Sequence, residues 1–109
     1  MGTSASAAVQ RCVEGLLAYG PEKIILFGSA ALGDTDEYSD IDLIIVKETE
    51  ARFVQRLVEV MDYLPRDVPV DAFVYTPQEF QAMQEGGNPF IAQALDEGIV
   101  LYEKAPGNG

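Results

Sequence analysis

The amino-acid sequence predicts a small mixed α/β domain in which helices cover one β-sheet. Short apolar runs suited to buried strands alternate with segments whose apolar residues recur every three or four positions, as on one face of a helix. Glycine, proline and asparagine stand at the joints between these segments. The 109 residues, 48% of them hydrophobic, suffice for one modest core. We therefore expect a single domain over residues 1–109, with loose termini at 1–4 and 105–109.

Helices and strands are assigned from apolar spacing and from residues that start or stop an element. The predicted elements in chain order are a helix over 5–19, a strand over 23–27, a helix start at 29–32, a strand over 39–46, a helix over 50–64, a strand over 68–75, helices over 77–85 and 89–97, and a strand over 99–102. The first two strands lead into and out of the same turn, so we expect them to run antiparallel. The sheet is therefore predicted to be mixed, with the helices mainly on one face.

The first half of the chain carries clear boundary signals. Gly20-Pro21 ends the first helix, whose apolar stripe includes the lone cysteine, Cys12. We interpret Cys12 as a small core residue rather than a reactive thiol. Thr49 is expected to cap the helix that Pro65 ends. The predicted buried stripe of that helix is Phe53, Val54, Leu57, Val58, Met61 and Leu64.

The second half is delimited by two helix caps. In the strand over 68–75, apolar residues alternate with Asp71, Phe73 and Tyr75, which therefore share the other face. The run from Thr76 to Glu79 forms a capping box with proline at the first helical position, so Glu79 is expected to be a cap rather than a catalyst. Asn88 caps the next helix and Gly98 ends it.

Composition excludes several classes of function. The net charge is −11, so the chain is a poor candidate for holding nucleic acid by phosphate contacts. It contains no histidine, which excludes histidine general-base catalysis and histidine-bound zinc. No apolar run approaches the ~20 residues of a membrane-spanning helix, and the N-terminus lacks the pattern of a secretory signal. With one cysteine and hence no internal disulfide, the chain is expected to be cytoplasmic.

Two aspartates and a Gly-Ser pair are the candidate functional residues. Asp40 and Asp42 open a buried apolar strand and point to the same face, an arrangement that suits Mg²⁺. The alternative is turn chemistry with no metal. Gly28-Ser29 ends the preceding strand and starts a helix, which favours phosphate binding by free backbone N–H groups. Its alternative is a tight turn with a capping serine.

Asp71 is a further carboxylate inside an apolar strand. It is either a third member of the acidic cluster or the partner of Arg66 or Lys23 in a salt bridge.

The spacing of these residues resembles a known family. Gly28-Ser29, ten residues, and then Asp40-x-Asp42 are similar to the signature of nucleotidyltransferases of the DNA polymerase β superfamily. The chain looks most like the minimal nucleotidyltransferase branch, and the resemblance covers roughly Glu14 to Glu103. It implies the polymerase-β-like core fold and transfer of AMP from ATP to an acceptor hydroxyl.

The resemblance also assigns roles to residues. It implies that Asp40, Asp42 and Asp71 are catalytic and hold two Mg²⁺ ions, that Asp71 acts as general base, and that Gly28 and Ser29 bind the β- and γ-phosphates of the nucleoside triphosphate. Related sequences often carry arginine in the following loop, whereas this loop has no basic residue.

The resemblance further implies a partner protein, a helical HEPN-domain toxin that receives AMP on a tyrosine, so that the transferase acts as an antitoxin. Self-association as a homodimer is the other way to supply an acceptor-holding domain. A different hypothesis is an acidic, catalytically weak module that neutralises a basic partner by binding it. A small-molecule transferase is less favoured, because no acceptor domain is recognisable.

Overall fold

A computed structural model of the chain describes residues 4–28 and 41–104, so residues 1–3 and 105–109, which make up most of the predicted loose termini, lie outside it. The helix start at 29–32 and the first two residues of the strand over 39–46 also lie outside. The described elements are α1 Ser4–Leu17, β1 Lys23–Phe27, β2 Ile41–Val46, α2 Phe53–Met61, β3 Val70–Tyr75, α3 Pro77–Glu85, α4 Pro89–Glu97 and β4 Ile99–Glu103.

The described strands form one mixed sheet in the order β3-β2-β1-β4. β1 pairs antiparallel with both β2 and β4, whereas β2 and β3 run parallel. Parallel neighbours need a crossover connection, which α2 supplies between β2 and β3. The predicted mixed α/β class and the antiparallel pairing of the first two strands are confirmed.

The helices are divided between the two faces of the sheet, which differs from the expectation that they lie mainly on one. α1 and α2 cover Ile24, Leu26, Leu43 and Ile45 on one face, and α3 and α4 cover Ile25, Ile44 and Val46 on the other. The reason is that β1 and β2 are central strands with consecutive apolar residues rather than alternating ones. A strand that is apolar on both sides needs cover on both sides.

The buried face predicted for α2 is wrong in part, because Leu57 and Leu64 are half-buried but other residues of the predicted stripe face solvent. Val54, Val58 and Met61 are 63–70% exposed, whereas Arg56 and Val60 are buried. The Arg56 guanidinium can be buried because each of its three nitrogens donates to a carbonyl or carboxylate oxygen. Thr49 does not cap this helix, because its hydroxyl instead accepts from the Ala51 N–H at 3.1 Å.

Arg56 and Glu79 join α2 to α3 around the end of β3. The guanidinium donates twice to the Glu79 carboxylate, at 2.7 and 3.1 Å, and also to the carbonyls of Ala51 and Val74. Glu79 simultaneously accepts from the Thr76 N–H, and Thr76 accepts from the Glu79 N–H, so the predicted capping box is confirmed. The hydrogen bond from Arg56 holds the pKa of Glu79 below its ordinary value.

Two smaller predictions are confirmed. Asn88 caps α4 by accepting from the N–H groups of Phe90 and Ile91. Cys12 is fully buried, and burial raises the pKa of its thiol to about 11, which makes it an unreactive core residue. Among residues 4–28 and 41–104, no helix is long and apolar enough to span a membrane.

Candidate functional site

The sheet register lines up three side chains in one row. Phe27 on β1 lies opposite Asp42 on β2, and Asp42 lies opposite Asp71 on β3. Paired residues on neighbouring strands point to the same face, and the strands are ~4.8 Å apart. The fold therefore brings two of the three predicted carboxylates next to each other. We call this set, Phe27, Asp42 and Asp71, the carboxylate row.

Gly28 lies against the carboxylate of Asp42. Its φ of +80° belongs to the left-handed region that favours glycine, and a Cβ atom built on it would collide with Asp42 Oδ2. Any other residue at this position would displace the carboxylate or the turn. The turn at the end of β1 and the first part of β2 are thus packed together through a position that only glycine fits.

Asp42 and Asp71 differ in their exposure to solvent. Asp42 is half-buried, whereas Asp71, the second residue of the edge strand β3, is exposed. One carboxylate is therefore held by its surroundings, and the other faces the space that an incoming molecule would enter. This asymmetry suits a site in which one group positions a ligand and another contacts the reacting partner.

The salt-bridge alternative for Asp71 does not hold. Within residues 4–28 and 41–104, the ion pairs are Arg11–Asp67, Lys23–Glu103 and Arg56–Glu79. Neither Arg66 nor Lys23 pairs with Asp71, since Lys23 contacts Glu103 at 3.5 Å. Asp71 therefore lies beside another carboxylate instead of a cation.

Two of the predicted site residues, Ser29 and Asp40, lie outside the described part of the chain. Asp40 directly precedes Ile41, whose N–H donates to the Pro69 carbonyl at 2.9 Å and fixes the start of β2 beside that of β3. Their roles, and those of Gly28, Asp42 and Asp71, stay predictions.

The donor set fits a hard divalent cation. Asp42 and Asp71 supply carboxylate oxygens, and the chain has no histidine to favour a softer ion. The described residues contain no cluster of three or more metal-ligating side chains, and the third predicted ligand, Asp40, lies outside them. Mg²⁺ is usually bound by one or two carboxylates and retains several water ligands, and this pair of aspartates is compatible with such a site.

An aromatic cluster that the sequence interpretation missed borders the carboxylate row. The ring of Phe90, at the start of α4, packs edge-on against Phe27 and Phe73, with centroids 5.2 and 5.9 Å away. Phe27 and Phe73 are themselves 6.4 Å apart. Phe27 directly precedes Gly28 and Phe73 follows Asp71 by two, but no spacing rule links Phe90 to either.

A cleft of about 780 Å³ lies at the other end of the sheet, between α3 and the ends of β1, β2 and β4. Its charged lining residues are Glu22, Glu85 and Glu103 with Lys23 and Lys104, so acids outnumber bases. Lys23 is already paired with Glu103. This cleft offers no convergent set of groups for phosphate or metal, and the carboxylate row is the better candidate.

Comparison with known proteins identifies a family, a sequence relative and a solved structure that this chain resembles. A family model described as polymerase beta nucleotidyltransferase matches residues 13–106. A protein of Methanocaldococcus jannaschii, named as a candidate protein adenylyltransferase, is 38% identical over 81 residues, covering 74% of this chain and 78% of that protein. A crystal structure of a candidate nucleotidyltransferase from Sulfolobus solfataricus matches with a TM-score of 0.61 and 20% identity, covering 98% of this chain and 94% of that chain. At that identity the structural match concerns the fold alone.

Proposed function

We propose that this chain, which belongs to the polymerase beta nucleotidyltransferase family, moves AMP from magnesium-bound ATP to a hydroxyl group of a protein. The observation that carries the proposal is the register that sets Asp42 beside Asp71 while Gly28 lies against Asp42. Two neighbouring carboxylates supply the oxygen ligands that a hard divalent cation prefers. A glycine turn beside them leaves room for phosphates to approach closely.

The reaction joins the acceptor oxygen to the α-phosphorus and releases pyrophosphate, so negative charge on phosphate oxygens must be held in place. Asp42, with Asp40, would hold Mg²⁺, and Asp71 would share a second ion. Bound there, Mg²⁺ supplies neutralisation of the phosphate charge and a lowered pKa for the attacking hydroxyl. Asp71, whose side chain is exposed, would accept the proton of that hydroxyl. Gly28 and Ser29 would bind the β- and γ-phosphates through backbone N–H groups.

A protein acceptor is supported by two observations. The relative from Methanocaldococcus jannaschii is named as a protein adenylyltransferase. In addition, α2 leaves Val54, Val58 and Met61 63–70% exposed in one stripe, and such apolar patches typically mark protein contact sites. We propose that the acceptor is a helical HEPN-type toxin in the cytoplasm, so that transfer gives an antitoxin role. A homodimer is the alternative source of the acceptor.

The test is transfer of labelled AMP to the partner, together with calorimetric titration of ATP with and without Mg²⁺. Asp42→Asn should abolish transfer and magnesium-dependent ATP binding while leaving folding intact, because it removes a ligand and relieves carboxylate repulsion. Asp96→Asn, an exposed acid on α4, is the matched control and should keep both. Full transfer by Asp42→Asn would contradict the assignment.

A second candidate function is favoured by the net charge of −11 and the loop without basic residues. In it, the chain neutralises a basic partner by forming a complex, with weak catalysis or none. Asp42→Asn would then leave neutralisation of the partner unchanged, whereas under the first proposal neutralisation would be lost together with transfer.

A further inference from the structure

We infer that the aromatic cluster of Phe27, Phe73 and Phe90 is the surface on which the purine base of the nucleotide stacks, with Phe90 as its exposed ring. This inference rests on the proposed function, because it names where the base of the transferred nucleotide lies. It concerns residues outside the acidic and Gly-Ser signature.

The register fixes where the cluster lies relative to the carboxylates. Phe27 is a member of the carboxylate row, and Phe73 lies two residues beyond Asp71 on the same face, about 7 Å farther along the strand. Ile44, between them on β2, is fully buried beneath this layer. The Phe90 ring contacts both Phe27 on β1 and Phe73 on β3, so it lies across β2, close to Asp42. Phe90 is therefore the wall of the site on the α4 side.

Exposure separates Phe90 from an ordinary core residue. Phe80 on α3, which covers the same face farther from the carboxylate row, is 7% exposed, and Ile91, next to Phe90 in α4, is fully buried. Phe90 stays 38% exposed although two other rings pack against it. The helical cover of this face thus ends on an aromatic ring directly beside the charged groups.

The chemistry of the cluster selects a flat apolar ligand group. Three phenylalanines offer no hydrogen-bond donor or acceptor, so they bind by stacking and by excluding water. Every purine has such a face, and stacking on aromatic side chains is tolerant of base identity. The triphosphate belongs at Gly28, the residue that follows Phe27, so a base placed on the cluster stays within the reach of one nucleotide. We therefore expect ATP and GTP to gain similarly from this surface.

The first experiment compares Mg-ATP with magnesium tripolyphosphate, which has the phosphates but no base. Phe90→Leu should weaken Mg-ATP binding about tenfold in calorimetry and leave tripolyphosphate binding unchanged. Leu95→Ala is the matched control, since Leu95 lies on the same helix, is also 38% exposed and faces a different surface with Gln84 and Asp96. It should change neither affinity.

The outcomes separate this inference from the proposed function. Equal weakening of both ligands by Phe90→Leu, or weakening of neither, overturns the base-stacking surface alone. A wild-type chain that binds neither ligand overturns the proposed function and this inference with it.

A second variant keeps the test decisive if Phe90→Leu folds poorly. The chain contains no tryptophan, so Phe90→Trp introduces a single tryptophan, whose fluorescence can be excited selectively, at the proposed surface. Its emission should be quenched by Mg-ATP and Mg-GTP but not by tripolyphosphate, because only a stacked base contacts the indole. Identical responses to ATP and tripolyphosphate would overturn the inference.

Discussion

The two ends of β3 handle charge in opposite ways. At its start, Asp71 lies beside Asp42, so one carboxylate neighbours another. Just beyond its end, the guanidinium of Arg56 is buried with four hydrogen bonds, two of them to Glu79 and one to the Val74 carbonyl. At one end of the strand two carboxylates lie side by side, whereas at the other end a guanidinium and a carboxylate form an ion pair. The first arrangement is the candidate binding site, whereas the second stabilises the fold.

The largest expected effect comes from removing one carboxylate charge at each end of β3 in separate variants. Asp71→Asn should lower AMP transfer by about a hundredfold or more, because it removes the proposed metal ligand and proton acceptor, while thermal stability stays equal or rises. Glu79→Gln should do the reverse, with reduced stability and unchanged transfer per folded molecule. Both variants are measured by labelled-AMP transfer and by thermal unfolding. A loss of both properties in either variant would break the contrast between the two ends.

Next in size is the stability lost when the carboxylate of Glu79 is removed altogether. Glu79→Ala should lower the free energy of unfolding by about 2 kcal/mol, because it leaves the buried Arg56 without its counter-charge and the Thr76 N–H without its acceptor. This loss of unfolding free energy is smaller than expected for a fully buried ion pair, because the Glu79 side chain is 44% exposed. Urea unfolding measures it. Glu85→Ala, an exposed acid on the same helix, is the control and should change little.

The features in and around β3 differ in how far the sequence alone predicts them. The capping box at Thr76 follows from local spacing, and the shared face of Asp71, Phe73 and Tyr75 follows from strand alternation, so both are predicted correctly. The burial of Arg56 depends on Glu79, 23 residues later, and on a carbonyl of β3. The spacing of apolar residues along α2 could not show that Arg56 is buried, because its partners lie far away in the sequence.

The candidate site shows the same limit. Two of its carboxylates are found by spacing and by resemblance to a family, because both operate along the chain. Their adjacency needs the parallel pairing of β2 with β3, and the contact of Phe90 with Phe27 needs α4 to lie over β1. Periodicity describes single elements, and the positions of elements relative to one another depend on contacts far apart in sequence.

Acid should weaken the ion pair between Arg56 and Glu79 at the end of β3. The pKa of Glu79 is held below its ordinary value of 4.5, so the unfolded chain takes up this proton at a higher pH than the folded chain does. The contribution of the pair is complete above about pH 4.5 and is lost as the pH falls through the folded pKa. Unfolding free energies of wild type and Glu79→Gln, measured from pH 7 to pH 3, should therefore converge below pH 4.5. A constant difference across that range would contradict the pairing.

The smallest effect is expected at an ion pair whose geometry matches that of Arg56 and Glu79 but whose environment does not. Arg11 donates to both carboxylate oxygens of Asp67, at 2.9 and 3.0 Å, yet these side chains are 52% and 67% exposed. Water and salt screen such a pair, and ordering two long side chains offsets what attraction remains. Asp67→Asn should therefore leave the midpoint of thermal unfolding within measurement error in 0.15 M salt. A loss as large as that of Glu79→Ala would show that two-point geometry, and not burial of the guanidinium, determines the contribution of a pair to stability.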